Sequence, residues 1–271
     1  MKTIIVTGAS RGIGKEIIKK LLVEAPEFGT ICMTSTRVED VQRVAEELRK
    51  EIDSPARLVT HQLDLLDPAS IQAFAQVVQN ELAPVDVLLN NAGLAFKGDR
   101  LDDEVFVKTF GVNYYGTIQL TDLLLNSMAP SGHIIIVSSY AGKLASVPSQ
   151  ALKDRIMNPD ITRQELDALT EDFHATVNQG NFEQKGWRRA GYATSKVMIN
   201  GYTRILNREL RASGSQVRVN AVHPGWVRTD MAGPNAPDPP ELGAITPVFL
   251  AKDTSDATGL FWDSKCSPWD W

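Results

Sequence analysis

The sequence has few cysteines and no long apolar run. Only Cys32 and Cys266 occur among 271 residues, with no CxxC pair and no nearby histidine cluster, so it predicts neither a disulfide framework nor a metal site. No apolar stretch reaches the ~18 residues that a membrane-spanning helix needs. The first residues lack the order of charged, apolar and small residues found in signal peptides. We therefore expect a cytoplasmic protein without a membrane partner.

The sequence also has no block of positive charge. Its 28 Lys+Arg against 33 Asp+Glu leave a formal net charge of −5. Nucleic acids and anionic membranes attract concentrated positive patches, so we predict no nucleic-acid partner. The 43% hydrophobic and 23% charged residues are typical of a globular protein that buries a sizeable core, which excludes disordered and fibrous architectures.

What the sequence does contain is an alternation of short runs rich in Val, Ile and Leu with longer amphipathic segments. This pattern is typical of βαβ units, which build a parallel sheet between helices. We predict strands at 3–7, 30–34, 57–63, 85–90, 133–138 and 216–222, with an edge strand at 259–262. We predict helices at 13–24, 38–52, 70–81, 103–127 and 192–212. The fold class predicted is α/β with one doubly wound parallel sheet, a Rossmann fold.

One interval breaks this rhythm, an insertion at 147–187 between the fifth strand and the last long helix. Thr162 and Glu165 match a capping box there. An apolar stripe at helical spacing follows, made of Leu166, Leu169, Phe173 and Val177. We expect the insertion to pack on the rest of the chain, so that residues 1–271 form one domain with a C-terminal substrate loop and tail at 224–271.

A glycine-rich turn, TGASRGIG at 7–14, lies between the first predicted strand and the first helix. Glycines at such a junction let the backbone turn tightly and approach a pyrophosphate at the helix N-terminus. The spacing GxxxGxG differs from the usual GxGxxG, so the turn taken alone leaves a purely structural role open. Its candidate cofactor-binding residues are Gly8, Ser10, Arg11, Gly12, Ile13 and Gly14.

Further motifs follow in order along nearly the whole chain. They are Asp64-Leu65, Asn90-Asn91-Ala92-Gly93, Asn113, Ser139, Tyr192-Ala193-Thr194-Ser195-Lys196 and Pro224-Gly225. With the glycine turn, this series resembles the short-chain dehydrogenase/reductase family. The resemblance implies a nicotinamide cofactor across the carboxyl ends of the strands. It also implies that Asp64 and Leu65 flank the adenine and that Asn90 contacts the adjoining ribose.

The end of the second strand bears on which nicotinamide cofactor binds. An acidic residue there would bind the ribose hydroxyls of NAD and repel the extra phosphate of NADP, but Thr34-Ser35-Thr36-Arg37 contains none. Arg37 offers a planar cation that suits a phosphate, and Arg11 is placed to reach the same phosphate from the other side. The alternative is two solvated arginines. We predict NADPH/NADP+ as the cofactor.

Tyr192 and Lys196 lie four residues apart, on one face of a helix. A free tyrosine has a pKa of about 10, and Lys196 with the oxidised nicotinamide would stabilise its phenolate. The resemblance implies that Ser139 binds the substrate carbonyl oxygen and that Asn113 holds a water linking the lysine to solvent. Ser138 is the alternative candidate for this role, although alignment with the family motif favours Ser139, the second serine of the pair. A YxxxK pair alone more often lies on a solvated helix face.

Several runs narrow the resemblance to the monomeric NADPH-dependent carbonyl reductase branch. They are the long insertion, NNAGLAFK at 90–97, the run 224–234 and TPVFLA at 246–251. The branch implies reduction of small-molecule ketones, aldehydes and quinones, by hydride transfer to the carbonyl carbon with Tyr192 as general acid. It also predicts a monomer, because the apolar stripe of the insertion would cover a helix face that pairs between subunits in many relatives.

The same resemblance places the remaining candidates after the sixth strand. Pro224, Gly225, Val227 and Thr229 are candidate cofactor contacts. Tyr140, Trp226 and Met231 would join Ser139 and Tyr192 on the substrate side, with core packing or loop anchoring as the alternative.

The sequence departs from this branch in two places. His223 stands where close carbonyl reductases carry a cysteine, so the resemblance leaves thiol chemistry and a preference for glutathione conjugates open, and we interpret His223 as a packed histidine. Tyr140 and Ala141 also differ from the usual residues after the serine. Two further functions stay open, namely an NADP-dependent dehydrogenase of a specific alcohol or sterol and a non-catalytic NADPH-sensing regulator.

Overall fold

The computed structural model describes residues 1–98 and 100–271, and seven strands in these ranges form one sheet. The strands are β1 (Lys2–Val6), β2 (Phe28–Ser35), β3 (Arg57–Gln62), β4 (Val85–Asn90), β5 (Met128–Val137), β6 (Arg218–Val222) and β7 (Phe261–Trp262). Their order is β3-β2-β1-β4-β5-β6-β7, and every neighbouring pair is parallel. The predicted doubly wound parallel sheet is confirmed. Its winding reverses between β1 and β4, where open α/β sheets bind their ligands.

Helices cover both faces of the sheet. They are α1 (Gly12–Glu24), α2 (Val38–Glu51), α3 (Pro68–Val77), α4 (Asp103–Phe110), α5 (Thr117–Leu124), α6 (Gln150–Met157), α7 (Arg163–Gln179), α8 (Gly191–Ala212), α9 (Pro240–Gly243) and α10 (Ile245–Lys252). Residues of α1, α2 and α10 share one hydrophobic core, and residues of α3, α4, α5 and α8 share the other. The inner strands are buried on both sides, as their nearly continuous apolar runs predict.

Three predicted elements have different bounds in the structure, and the helices α6, α9 and α10 were not among the predicted helices. The helix predicted at 103–127 is divided by a π-helical turn, Gly111–Gly116, where the Thr117 hydroxyl donates to the Val112 carbonyl at 2.9 Å. The helix predicted at 70–81 begins at Pro68 and ends in a second π-helical turn, Val78–Leu82. Strand β5 starts five residues early because Met128 already pairs with Val85, before the register shifts at Val87.

The insertion packs on the face of the sheet that α4 and α8 cover. Its capping box is present, since the Glu165 N–H donates to the Thr162 hydroxyl at 3.2 Å and the Thr162 N–H donates to the Glu165 carboxylate at 2.8 Å. The apolar stripe of α7 joins the core shared with α4 and α8. Leu166 packs on α8 at Gly201, where a methyl group would lie 3.1 Å from it. The insertion is thus part of the single domain.

The two cysteines are free thiols. Burial raises the pKa of the Cys32 thiol to about 12. Across residues 1–98 and 100–271, no three His, Cys, Asp or Glu side chains come together as a metal site. Within the same ranges no helix has both the length and the apolar character to cross a membrane.

Candidate active site

A cavity of about 370 Å³ opens at the carboxyl ends of the strands, beside the point where the winding reverses. Its walls come from the glycine turn, the ends of β2 to β5, the start of α8 and the loop after β6. The predicted site residues that line it are Gly8, Ser10, Arg11, Gly12, Ile13, Gly14, Asp64, Leu65, Tyr192, Lys196, Pro224, Thr229 and Met231. The structure therefore brings predicted site residues from four separate segments of the sequence to one cavity.

The turn after β1 is bonded to the loop after β4. The Thr7 hydroxyl accepts hydrogen bonds from the N–H groups of Asn91 and Ala92 at 3.0 and 2.9 Å. The Asn91 amide in turn donates to the carbonyls of Thr7 and Gly8 at 2.9 and 3.1 Å. These four bonds fix the two loops on either side of the crevice relative to each other.

The N-terminus of α1 faces the cavity. A methyl group on Gly14 would lie 2.2 Å from the Gly8 carbonyl oxygen, so only glycine lets the helix start this close to its own turn. Arg11 precedes the helix and makes no side-chain cap, and the first turn holds no acidic residue. The first N–H groups of a helix lack intrahelical partners and carry partial positive charge. This end therefore suits a phosphate group.

Polar side chains at the end of β2 also face the cavity. Thr34, Ser35 and Thr36 line it, and the buried Thr34 hydroxyl has no hydrogen-bond partner in the described part of the chain. Buried polar groups are almost always bonded, so a hydroxyl of this kind beside a cavity fits a polar ligand. The three residues fit the adenosine end of a dinucleotide without an acidic side chain.

The structure separates the two arginines predicted to bind the adenosine phosphate. Arg11 lines the cavity, and its guanidinium lies 3.2 Å from the Asp230 carboxylate. Arg37 lies outside the lining, with a side chain that is 72% exposed and whose Nε is 3.8 Å from the Asp40 carboxylate. The predicted role of Arg37 stays a prediction, while Arg11 is already placed at the cavity.

Asp64 and Leu65 line the cavity, and their contact with the adenine stays a prediction, whereas Asn90 is not part of the lining. Asp64 is held by the Leu66 N–H, which donates to its carboxylate at 2.9 Å. The Asn90 amide donates to the Thr121 hydroxyl of α5 at 3.0 Å, and neither residue lines the cavity. Its predicted ribose contact stays a prediction.

Tyr192 and Lys196 project from the first turns of α8, with the lysine Nζ 5.8 Å from the centre of the tyrosine ring. That Nζ donates a hydrogen bond of 2.8 Å to the Val137 carbonyl at the end of β5. Burial lowers the pKa of Lys196 to about 8. Burial raises the pKa of Tyr192, against a hydrogen bond with Ser139 that lowers it. Near pH 7 the ammonium is therefore charged and the phenol protonated, as a proton donor must be.

The two serines after β5 have different environments. The Ser139 hydroxyl bonds Tyr192 and accepts the Ala141 N–H at 3.1 Å. The buried Ser138 hydroxyl lines the cavity but lies 3.4 Å from the carbonyl of Lys196, to which it donates. Of the two, Ser139 is the serine beside the phenol, although it is not part of the cavity lining.

Asn113 lies in the π-helical turn between α4 and α5, and its side chain bonds both the loop after β4 and helix α8. Its side-chain Oδ1 accepts a hydrogen bond from the Leu94 N–H at 2.8 Å. Its side-chain Nδ2 donates to the Leu94 carbonyl at 2.9 Å and to the Ser195 hydroxyl at 3.0 Å. A methyl group on Gly93 would contact both the Asn113 oxygen at 3.4 Å and the Lys196 Nζ at 3.6 Å. Asn113 and Lys196 are therefore neighbours; the bridging water stays a prediction.

Of the candidate residues in the loop after β6, some line the cavity and others do not. Pro224, Thr229 and Met231 line the cavity, whereas Gly225, Trp226 and Val227 do not. Val227 is buried and forms a bridge with Asp238, while Trp226 is 57% exposed. Of the predicted substrate residues in this loop, only Met231 reaches the cavity wall.

Tyr140 and His223 pack together outside the cavity lining. The Tyr140 side chain is 60% exposed, and its ring centre lies 6.0 Å from His223 and 5.3 Å from Trp269. Nδ1 of His223 accepts the Gly225 N–H at 3.3 Å, and burial lowers the pKa of the ring to about 4. His223 is therefore neutral near pH 7 and packed among aromatic rings.

Sequence reasoning did not single out Asn91, Asp230 or Trp269. Asn91 belongs to a doublet in which only the first residue was assigned a role, yet the second bonds the glycine turn. Asp230 follows a predicted cofactor contact and pairs with Arg11 from 219 residues away. Local spacing carries no signal for a contact of that length.

Comparison with known proteins agrees with this geometry. A model of the short chain dehydrogenase family matches residues 2–151 and 176–240. The chain is similar to carbonyl reductase [NADPH] 1 of Sus scrofa, at 36% identity over 263 residues that cover 94% of this chain and 88% of the relative. The Mus musculus protein of the same name is 35% identical over 277 residues, covering 98% and 97%. Salutaridine reductase from Papaver somniferum has a similar structure, with a TM-score of 0.85, 25% identity and coverage of 97% and 99%.

Proposed function

This chain belongs to the short chain dehydrogenase family, and on that premise we propose that it reduces carbonyl compounds to alcohols with NADPH. The observation that carries the proposal is the Tyr192 phenol in the cavity wall beside Ser139, with the Lys196 ammonium 5.8 Å from the centre of the tyrosine ring. Relatives named for NADPH-dependent carbonyl reduction match nearly the whole chain. The substrate is a small molecule, and we assign it to the ketones, aldehydes and quinones.

The residues around the cavity fit the cofactor. The N-terminus of α1 would hold the pyrophosphate, and Arg11 with the hydroxyls at the end of β2 would hold the adenosine phosphate. Asp64 and Leu65 would flank the adenine, and Pro224 and Thr229 would contact the nicotinamide end. When bound there, NADPH supplies the hydride of the reduction.

The side chains of the protein supply binding and a proton. The Ser139 hydroxyl donates a hydrogen bond to the substrate carbonyl oxygen and orients it. The Tyr192 phenol gives its proton to the same oxygen as negative charge develops there. Hydrogen-bond donors already aimed at that oxygen stabilise the charge more strongly in a dry cavity than in water.

Lys196 acts on the tyrosine rather than on the substrate. Its ammonium, charged below a pKa of about 8, stabilises the phenolate that remains after proton transfer. Asn113, bonded to Ser195 one residue before the lysine, fixes this part of α8 against the loop after β4. We assign Asn113 to the path by which a proton returns from solvent to Tyr192.

We further propose a monomer that acts in the cytoplasm as one NADP-binding reductase domain. Supporting the monomer, α7 covers α8 from within the same chain. The insertion at 147–187 thus serves as a cover, and the segment 224–271 serves as the substrate loop and tail.

The test is the loss of NADPH absorbance with purified protein over a panel of quinones, aromatic aldehydes and diketones. NADH and the variant Tyr192→Phe are the controls. We expect turnover with NADPH that falls by at least about 10²-fold in the variant, while its NADPH affinity is retained. Tight NADPH binding without turnover across the panel would instead favour a narrow-substrate dehydrogenase or an NADPH sensor.

A further inference from the structure

The segment 263–271 folds back along β7 toward the catalytic serine. The Asp263 carboxylate accepts the N–H groups of Lys265 and Ser267 at 2.8 and 3.0 Å, and its own N–H donates to the Ser267 carbonyl at 2.8 Å. The Trp269 N–H then donates to the Phe261 carbonyl at 2.7 Å. This tight loop brings the two tryptophans of the segment to the turn that follows β5.

Trp271 holds that turn against the catalytic helix. Its indole Nε1 donates to the Gly142 carbonyl at 2.7 Å, and the Asn200 amide of α8 donates to the same oxygen at 3.1 Å. On the opposite side, a methyl group at Gly142 would lie 2.9 Å from the backbone of Lys196, so only glycine fits there. The turn is therefore enclosed between α8 and Trp271, with the Arg204 guanidinium 5.6 Å from the centre of the Trp271 ring.

The enclosed turn begins at Ser139. The Gly142 N–H donates to the Ser139 carbonyl at 2.9 Å, and the Ala141 N–H donates to the Ser139 hydroxyl at 3.1 Å. A shift of Gly142 is thus transmitted over three residues to the hydroxyl that bonds Tyr192. Trp271 is not part of the cavity lining, so we expect any effect it has on the reaction to pass through this turn.

Trp269 supports the next residue of the same turn. Its ring centre lies 5.3 Å from Tyr140 and 4.5 Å from His223. The Lys143 Nζ lies 3.2 Å from the centre of the Trp269 ring and 4.9 Å from the centre of the Tyr140 ring, close enough for cation–π attraction to both. These contacts support one side of the Tyr140 ring, while the side chain stays largely exposed next to Ser139 in the sequence.

We propose that Trp271 and Trp269 are positioning residues for carbonyl reduction. Trp271 holds Ser139 in place beside Tyr192 through Gly142. Trp269 fixes the Tyr140 ring and thereby sets how well bulky aromatic carbonyl compounds are accepted. The inference rests on the proposed reductase function, and it assigns a catalytic consequence to a segment outside the cavity lining.

Trp271→Phe tests the first part, because it keeps an aromatic ring and removes the indole donor. A single hydrogen bond is worth about 1 kcal/mol, so we expect kcat with an aromatic aldehyde to fall about fivefold while the KM for NADPH is unchanged. The matched control is Trp187→Phe, which removes an indole bond of 2.9 Å to Asp172 in α7 and leaves kcat unchanged. Thermal unfolding of both variants reports their stability.

Asn200→Ala removes the other donor to Gly142 and is the second arm, with the same direction of change expected. Wild-type kcat in both Trp271→Phe and Asn200→Ala overturns the assignment. An equal loss of kcat in Trp187→Phe also overturns it, since the effect would then follow stability alone. Absence of turnover in the wild type contradicts the proposed function and this inference together, whereas unchanged variants of an active enzyme contradict only the inference.

Trp269→Leu tests the second part, with a bulky aromatic ketone and a small aliphatic diketone compared in the same enzyme. We expect KM for the bulky ketone to rise severalfold and KM for the diketone to stay within about twofold. Trp269→Phe restores the ring and should recover most of the lost affinity. Equal changes for both substrates, or no recovery in Trp269→Phe, would overturn the role of Trp269 in specificity.

Discussion

The side-chain amide of Asn220 donates a hydrogen bond of 2.9 Å to Nε2 of His133, buried between β5 and β6. Nδ1 of the same ring lies 3.0 Å from the Leu250 carbonyl and must donate to it, so the ring is the neutral tautomer. The amide cannot reverse, because Oδ1 of Asn220 accepts the Leu260 N–H and its Nδ2 also donates to Ala257. Burial lowers the pKa of His133 to about 3.

This relationship predicts a loss of stability in acid. A histidine in an unfolded chain has a pKa of about 6.5. Between that pH and about pH 3, His133 therefore binds a proton in the unfolded chain but not in the folded one. The contribution is fully present above about pH 6.5 and is lost progressively toward about pH 3. From about pH 7.5 to 5, the wild type should lose about 2 kcal/mol more unfolding free energy than His133→Gln. Urea unfolding measures this, and parallel pH profiles for the two proteins would contradict it.

Arg11→Ala should weaken NADPH binding by about tenfold. A hydrogen bond to a charged group contributes about 1.5–3 kcal/mol, and the lower end applies because this side chain is largely exposed. NADH, which lacks the extra phosphate, should bind both proteins alike. Arg37→Ala should have a smaller effect, since its side chain lies outside the cavity lining. Fluorescence titration with each cofactor measures the affinities.

Arg43→Ala is the control for the loss of one positive charge. Its guanidinium lies on the exposed side of α2, 3.5 Å from carboxylates of Asp40 and Glu47. NADPH affinity should be unchanged in this variant. If Arg43→Ala and Arg11→Ala lose affinity equally, the effect comes from net charge rather than from a phosphate contact.

Ser139→Ala should lower kcat by about 10²-fold or more, with the affinity for NADPH retained. The physical reason is the loss of a donor aimed at the oxygen on which charge develops. Ser138→Ala should cost at most a few fold, because that hydroxyl donates to the carbonyl of Lys196. Steady-state kinetics on one aromatic aldehyde compares the two. A larger loss in Ser138→Ala would exchange the roles assigned to these serines.

Static light scattering should return the mass of one chain. The prediction follows from α7, which packs on α4 and α8 within the same chain. A mass of two or four chains would show that the insertion does not replace a subunit contact.

Leu166→Ala should lower the free energy of unfolding by about 2–5 kcal/mol, since Leu166 is fully buried where α7 meets α8. Leu242→Ala is the control, because that side chain is 44% exposed and should change stability by only about 0.5 kcal/mol. Chemical denaturation measures both. Similar, small losses in the two variants would mean that α7 contributes little to the core.

The sheet could be predicted because its inner strands are apolar runs and its turns carry glycine. The start of β5 could not, since residues 129–132 read as a turn and only pairing between Met128 and Val85 makes them part of a strand. The π-helical turn around Asn113 was equally hidden, because helical periodicity does not reveal one widened turn. These elements depend on tertiary contacts rather than on local sequence preference.

The candidate site divides in the same way. The glycine turn, Tyr192 and Lys196 could be predicted from their motifs and from the family that the series of motifs resembles, because each motif is a short continuous stretch of the sequence. The different directions of Asn90 and Asn91 follow from the last residues of β4, which a doublet in the sequence cannot resolve. The contact from Trp271 to Gly142 joins residues 129 positions apart, and no local sequence pattern predicts it.

The packing of Leu166 on Gly201 has a consequence for the helix that carries Tyr192 and Lys196. A subunit that covered this face would bind by mass action, and its support would weaken as the protein became more dilute. Here the covering helix is tethered to the same chain and loses no translational freedom when it docks. Through this face, the catalytic helix is therefore as well supported in a single isolated molecule as in a concentrated solution.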